Sequence, residues 1–340
     1  MKRISMIDVA KAANVSQATV SRALNTPSRV SKETLEKIIN IIKETNYIYN
    51  SAAADFTRQK KTLIGLIVFT LKSSIQTGLI DGIQKEIEKT NYSLIIGNSH
   101  YDPATEHRLI QEFQERQLAG IIVAESTELN RDFLRSVHKA GIHVVLTWDK
   151  NEDPVLDSVG IDNYKASSDM TNYLIGLGHR RIGFIAGMYN KIERVRHRFE
   201  GYCDALKAAD IPIDHKLIIS TTPSALNGKI AMAQLLSHDP DLTAVFAASD
   251  ALAFGALSAI RDKKLRVPED ISICGFDDAE FSSFCSPSLT TIHVPTEEMG
   301  RCAANVIVEK IRTGKENQLK ITLDTNIIIR DSCGNPPHKK

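Results

Sequence analysis

Between residues 16 and 25 the chain gathers small hydroxyls, amides and a guanidinium: Ser16, Gln17, Thr19, Ser21, Arg22 and Asn25, with Ala18 among them. A glutamine amide bonds adenine at two atoms, a methyl group meets thymine, and an arginine reaches a base edge or a phosphate. Hydroxyls suit phosphate oxygens, which set register rather than sequence. A second concentration, Arg194-Val195-Arg196-His197-Arg198, is cationic and hints at an anionic small molecule; a solvated helix face is the plain alternative. Catalytic sets are missing: no GxGxxG, P-loop or G-x-S-x-G elbow follows a β-type run. The ten histidines and five cysteines have no metal-type spacing, and Asp277-Asp278 lacks further carboxylates in a matching pattern. Neither an enzyme nor a cofactor is expected.

Local signals say what positions these groups. An apolar stripe of Ile4, Ile7, Val9, Ala10 and Ala13 predicts a helix over 4–13. Asn14 suits a left-handed turn, and Ser16 caps a second helix over 17–24 with Val20, Ala23 and Leu24 inward. Pro27 marks a loop. Ser31 caps a third helix lined by Leu35, Ile38, Ile39, Ile42 and Tyr47. Residues 49–62 form a linker with little apolar surface. From Leu63 onward, fully apolar β-type runs alternate with helical patterns in two series. Such runs imply parallel sheets covered on both faces, and two series imply two doubly wound lobes with sites at the carboxyl ends of their strands. The expected class is α/β: a three-helix N-terminal domain, a linker, then two doubly wound lobes with parallel sheets.

Charge divides the same way. Residues 1–62 hold eleven Lys and Arg against five Asp and Glu, while the remainder holds 31 against 36. A basic module on an acidic body attracts phosphate without making the whole molecule adhesive. No apolar run reaches the ~20 residues of a membrane span, and no segment reads as a signal peptide. The cysteines, lacking any paired pattern, fit a reducing compartment, so the cytoplasm is expected.

The stretch Ile7-Asp8-Val9-Ala10-Lys11-Ala12-Ala13-Asn14-Val15-Ser16-Gln17-Ala18-Thr19-Val20-Ser21-Arg22-Ala23-Leu24-Asn25 closely resembles the helix-turn-helix of the lactose/galactose repressor family. Gly178-His179-Arg180-Arg181-Ile182, Val267-Pro268-Glu269-Asp270-Ile271 and Gly275-Phe276-Asp277-Asp278 extend the resemblance over residues 4–330. It implies that Gln17 and Ala18 read bases in a major groove, with Arg22 one turn on. A three-helix bundle used for protein contact, with Ser16 merely a cap, is the bland alternative. The linker is similar to the family's hinge helix but departs from it: Tyr49 stands for proline, Ala54 for arginine and Phe56 for leucine. Phe56 remains able to wedge between base steps, or the segment is a plain flexible linker.

The resemblance also implies that the two lobes behind the hinge are a sensor like a periplasmic binding protein, with an effector site between them. Matching positions are Ser73, Ser74 and Gln76 after the first sensor strand, Arg198, Asp250 and Asp277, with Arg194 in the basic run, Phe246 as an apolar platform and Trp148 at the border. Arg198 could instead pair with Glu200 or Asp204, and Asp250 could be only a helix cap. The divisions implied are 1–48 for DNA binding, 49–62 for the hinge, 63–330 for sensing and dimerisation, and 331–340 as a tail. Lobe 1 takes 63–160 and 293–320; lobe 2 takes 161–292 and 321–330. The expectation is a homodimeric regulator, usually a repressor, whose grip on a double-stranded operator answers to a sugar, sugar acid or sugar phosphate. Inducer and corepressor are both compatible. A ligand-binding receptor without a DNA role is the rival reading.

Overall fold

Three serines set the starts of the first three helices in the computed structural model, which describes residues 4–47, 61–124, 127–189, 192–315 and 317–337. The chain divides into two compact units, Met1–Lys61 and Thr62–Lys340. In the first, Ser5 accepts a bond from the Asp8 amide and donates its own N–H to the Asp8 carboxylate, a reciprocal box that opens α1 (Met6–Ala13). The helix therefore starts after Ile4, which is exposed, and Ile7 also faces outward; the stripe expected from residue 4 is shorter than the sequence suggested. Asn14 ends α1 with φ 54°. Ser16 caps α2 (Gln17–Asn25) by accepting from the Thr19 amide at 3.1 Å, and Ser31 caps α3 (Lys32–Thr45) in the same way. Val9, Ala10, Ala13, Val20, Ala23 and Ile38 close the small core, while Ile39 stays at the surface.

The second unit contains two doubly wound lobes. Strands β1 (Leu63–Val68), β2 (Ser93–Asn98), β3 (Gly120–Val123), β4 (His143–Asp149) and β5 (Asp157–Ile161) come first in the chain. Helices α4 (Ser74–Ile87), α5 (Pro103–Glu115) and α6 (Glu128–Lys139) connect them. The chain then enters the second lobe through α7 (Asn163–Gly176). There β6 (Ile182–Ala186), β7 (Ile218–Ser220), β8 (Ala244–Ala247) and β9 (Ser272–Cys274) alternate with α8 (Glu193–Ala208), α9 (Ala225–His238) and α10 (Asp250–Asp262). Strand β10 (Thr291–His293) leads back to the first lobe by way of α11 (Thr296–Thr313) and β11 (Lys320–Leu323); β12 (Asn326–Ile328) returns to pair with β10. The sheets run β2-β1-β3-β4-β5-β11 and β7-β6-β8-β9, every pair parallel. Strand order reverses beside β1 in one lobe and beside β6 in the other, so both crevices open at carboxyl ends.

Three expectations need correction. Strand β5 was not visible in the sequence because Asp157 and Ser158 read as loop residues; Asp157 is buried against Lys310 at 3.3 Å and accepts from the Leu319 amide. Residues 320–323 belong to the first lobe, since β11 pairs with β5, and the run expected over 320–329 is two strands. The segment expected as a tail packs on the second lobe: Ile273 N–H donates to Ser332 O, and His179 and Ser272 both bond the Gly334 carbonyl. Among the described residues no helix is long and apolar enough to cross a membrane.

Helices α9 and α10 cross so closely that a Cβ on Gly255 would collide with the Ala225 carbonyl, and one on Gly228 with that of Leu252. Backbone cannot yield as a side chain tip can. Gly255→Ala is therefore expected to lower stability by ~1–3 kcal/mol, read from urea denaturation followed by circular dichroism.

Candidate DNA-reading helix and inter-lobe cleft

Helix α2 turns Val20 and Ala23 into the core, which leaves Gln17, Ala18 and Arg22 exposed together on the opposite side. Ser16 fixes the helix start through the Thr19 amide and also bonds the Thr19 hydroxyl at 2.9 Å. Thr19 and Ser21 lie half-buried at the edge of that face. Asn25 is the last residue of α2. The face is thus a rigid, capped presentation of one amide, one methyl and one guanidinium, the groups that read a major groove. Tyr49, Ala54 and Phe56 lie outside the described residues.

In the sensor, the carboxyl ends of the two sheets face each other across polar contacts. Phe69 follows β1, and its ring lies 4.9 Å from Tyr101 and 5.9 Å from Trp148. Arg194, near the start of α8 in the other lobe, sets its guanidinium 4.6 Å from the Phe69 ring and 5.5 Å from Trp148. Arg131 of α6 pairs with Glu193 of α8 at 2.8 Å, and His197 of α8 with Asp149 of β4 at 2.7 Å. At this end the lobes are shut. Towards Asp277 they part, leaving a groove of about 600 Å³ bordered by Thr77, Asp277, Ala279, His293, Thr296 and Arg301.

Arg198 is the hub of the second lobe's wall. It is buried, donates to the Asn163 side chain and to the Ala248 carbonyl at 2.8 Å each, and lies 3.5 Å from the Phe276 ring and 3.7 Å from Asp277. It pairs with neither Glu200 nor Asp204. Phe246, expected as the platform, lies inside the core, edge-on to Phe184, its register partner on β6; Phe276 takes that place instead. Asp250 is not a cap, since Ser249 caps α10. Its oxygens accept from the Ala279 amide, the Ser282 hydroxyl and the Thr291 hydroxyl, so it shapes the loop that carries Asp277. Ser73 precedes α4 and Ser74 is its first residue.

Several cleft residues carry polar atoms that the protein leaves unanswered. Gln76 is fully buried, yet neither atom of its amide has a hydrogen-bond partner, and the same holds for Trp148 Nε1 and Asp277 Oδ1. Trp148 and Asp277 also have left-handed backbones, with φ 79° and φ 123°. Buried polar atoms without partners are costly, and such strain gathers where a ligand is held. Of the residues singled out in the sequence, Trp148, Arg194, Arg198 and Asp277 come together. Asn163, Phe69 and Phe276 were missed. Asn163 was hidden with β5, since the chain's passage between lobes could not be placed without that strand.

Burial pushes the Asp250 carboxyl up to about 7, with the nearby Asp277 charge adding to the effect, and burial raises Asp277 to about 6. A carboxyl raised by folding makes the native state hold protons that the unfolded chain has lost. Stability therefore falls as pH climbs from about 4 to about 7, by up to ~1.4 kcal/mol per pH unit for each such proton. Asp250→Asn is expected to flatten this fall, measured as urea midpoints across that range.

The chain matches two family models: Bacterial regulatory proteins, lacI family, over residues 5–50, and Periplasmic binding protein-like domain over residues 171–333. It is 33% identical over 332 residues to the HTH-type transcriptional repressor PurR of Haemophilus influenzae (strain PittEE), covering 96% of this chain and 97% of that one. It is 30% identical to the Ribose operon repressor of Haemophilus influenzae (strain ATCC 51907 / DSM 11121 / KW20 / Rd), with 96% and 98% covered. The crystal structure of the lac repressor dimer bound to operator and the anti-inducer ONPF superposes with a TM-score of 0.86 at 25% identity, covering 97% of this chain and 99% of that one. With a capped reading helix at its start and a two-lobed sensor behind it, the chain belongs to the lacI family of bacterial regulatory proteins and is a DNA-binding transcriptional regulator.

Proposed function

We propose that this regulator is a homodimeric repressor acting in the cytoplasm on a pseudo-palindromic operator, and that a small hydroxyl-rich effector in the inter-lobe cleft controls its grip. One observation carries the effector half of this reading: Trp148 Nε1 in β4 and Asp277 Oδ1 after β9, like the amide of Gln76 in the first turn of α4, are buried without a hydrogen-bond partner. Between them they offer both donors and acceptors, which is what hydroxyl groups require. The basic run over 194–198 supports a neutral ligand better than an anionic one. Arg196 faces Glu193 at 3.5 Å and Glu200 at 3.8 Å, His197 faces Asp149, and Arg198 faces Asp277, so much of its charge is met within the protein. Calorimetry with neutral sugars against gluconate-like acids tests this: heat from the acids alone would reverse the choice.

For the DNA half, Ser16, Gln17, Ala18, Thr19, Ser21, Arg22 and Asn25 are the proposed contacts, and two half-sites multiply the selectivity that one short helix provides. The domain limits proposed are 1–48, a hinge over 49–62 in which Phe56 intercalates, and a sensor from residue 63. This is the reading of a regulator, not an enzyme. A gel shift on genomic fragments at moderate salt, repeated with candidate metabolites, tests it; binding with no preference among duplexes would remove it. Gln17→Ala is expected to relax preference at one base pair by ~1–3 kcal/mol, while leaving binding to other positions in place. Uniform weakening across all sequences would reduce Gln17 to a phosphate contact.

A further inference from the structure

Four polar groups link the two lobes in one chain. His197 Nδ1 on α8 lies 2.7 Å from Asp149 Oδ2 at the end of β4. The other oxygen of Asp149 accepts from Asn163 Nδ2 at 2.8 Å, and Asn163 Nδ2 also donates to the Trp148 carbonyl. Asn163 Oδ1 in turn accepts from Arg198 Nε at 2.8 Å. The chain starts on one lobe, passes through the other, returns at the head of α7 and ends on the guanidinium that grips the cleft wall. Asn163, Arg198 and Asp149 are buried, while His197 keeps contact with solvent at one end.

We propose that His197 is a positioning residue: its protonated imidazole holds the lobes closed through Asp149 and, through Asn163, sets the aim of Arg198 in the cleft. The Asp149 carboxylate, 2.7 Å away, raises His197 above the ordinary histidine range, against the opposing pull of burial. Glu193 and Glu200, on its own helix, add to this, and Arg131 on α6 faces Glu193 across the same seam. Opening the lobes parts His197 from Asp149 and returns it to the usual value of about 6.5. The closed form therefore binds the proton more tightly than the open form. Closure is favoured below the raised value and lost as pH climbs through it.

The protein carries its own reporter. Trp148 is its single tryptophan, fully buried, with Asp149 next in the chain and Arg194 beside its ring. Acrylamide quenching of Trp148 in the effector-free full chain reads closure directly, whatever the effector proves to be. Between about pH 5.5 and about pH 8.5 the quenching constant is expected to rise severalfold in a single step. His197→Arg, with a charge that does not titrate, should keep it low throughout. His197→Gln should keep it high throughout. A step driven instead by Asp277 or Asp250, which burial raises to about 6 and about 7, would survive both substitutions. A step that persists in either variant, or is missing from the unaltered chain, overturns the proposal, as does an arginine variant quenched as readily as the glutamine one. Neither result depends on sugar binding, so the effector reading would stand or fall separately.

Discussion

Taking a guanidinium out of water costs several kcal/mol unless its hydrogens and its charge are met where it goes. Arg198 is buried, and the second lobe and the passage between lobes are arranged around meeting it. Asn163, at the head of α7, answers Nε; the Ala248 carbonyl, at the end of β8, answers Nη1; Phe276, after β9, covers the plane. These come from three elements separated widely in sequence, so the arginine can be satisfied only when helix, sheet and crossover are all in place. The same demand sets the cleft's shape. Asp277 sits 3.7 Å away because Asp250 holds the intervening loop by three hydrogen bonds, and Asp250 is itself expensive to bury.

The first lobe contributes a different kind of constraint. Its cleft wall is aromatic, with Phe69 against both Tyr101 and Trp148, and Arg194 of the opposite lobe rests on that wall as a cation on a π-face. Direct ion pairs at Arg131–Glu193 and Asp149–His197 flank the stacked arginine. Each is modest by itself, since partly exposed pairs contribute little. Acting together at the rim of a hinge, they set the balance between closed and open forms, a balance that small free energies can shift.

How much of this could be read from residues alone differs by element. The reading helix was legible because its cap, its inward residues and its turn are all local: Ser16, Val20, Ala23 and Asn14 lie within ten residues. The alternating sheets were legible because buried parallel strands are unbroken apolar runs. Strand β5 was not, because its Asp157 is made tolerable only by Lys310, far along the chain. Phe246 and Phe276 were exchanged as platforms for a related reason. Both lie buried in the same core, and only their neighbours separate them: Phe246 meets Phe184 edge-on, whereas Phe276 lies under the Arg198 guanidinium. Cleft residues Arg198 and Asp277 were found through family resemblance, whereas Asn163, which bonds Arg198, needed the crossover to be placed first.

The chain's path between the lobes bears on how the protein is made. The first sheet receives β11 at its edge only after α11 has been laid down, and the second sheet has its outer strand β9 covered by Ser332 only after that. On the ribosome, neither lobe can be completed from the stretch that begins it; both wait for residues 320–334. A nascent chain that stops short of residue 320 carries two sheets with raw edges, each a template for pairing with a neighbour. The lobes are therefore completed together, once residues 320–334 are in place, rather than one after the other.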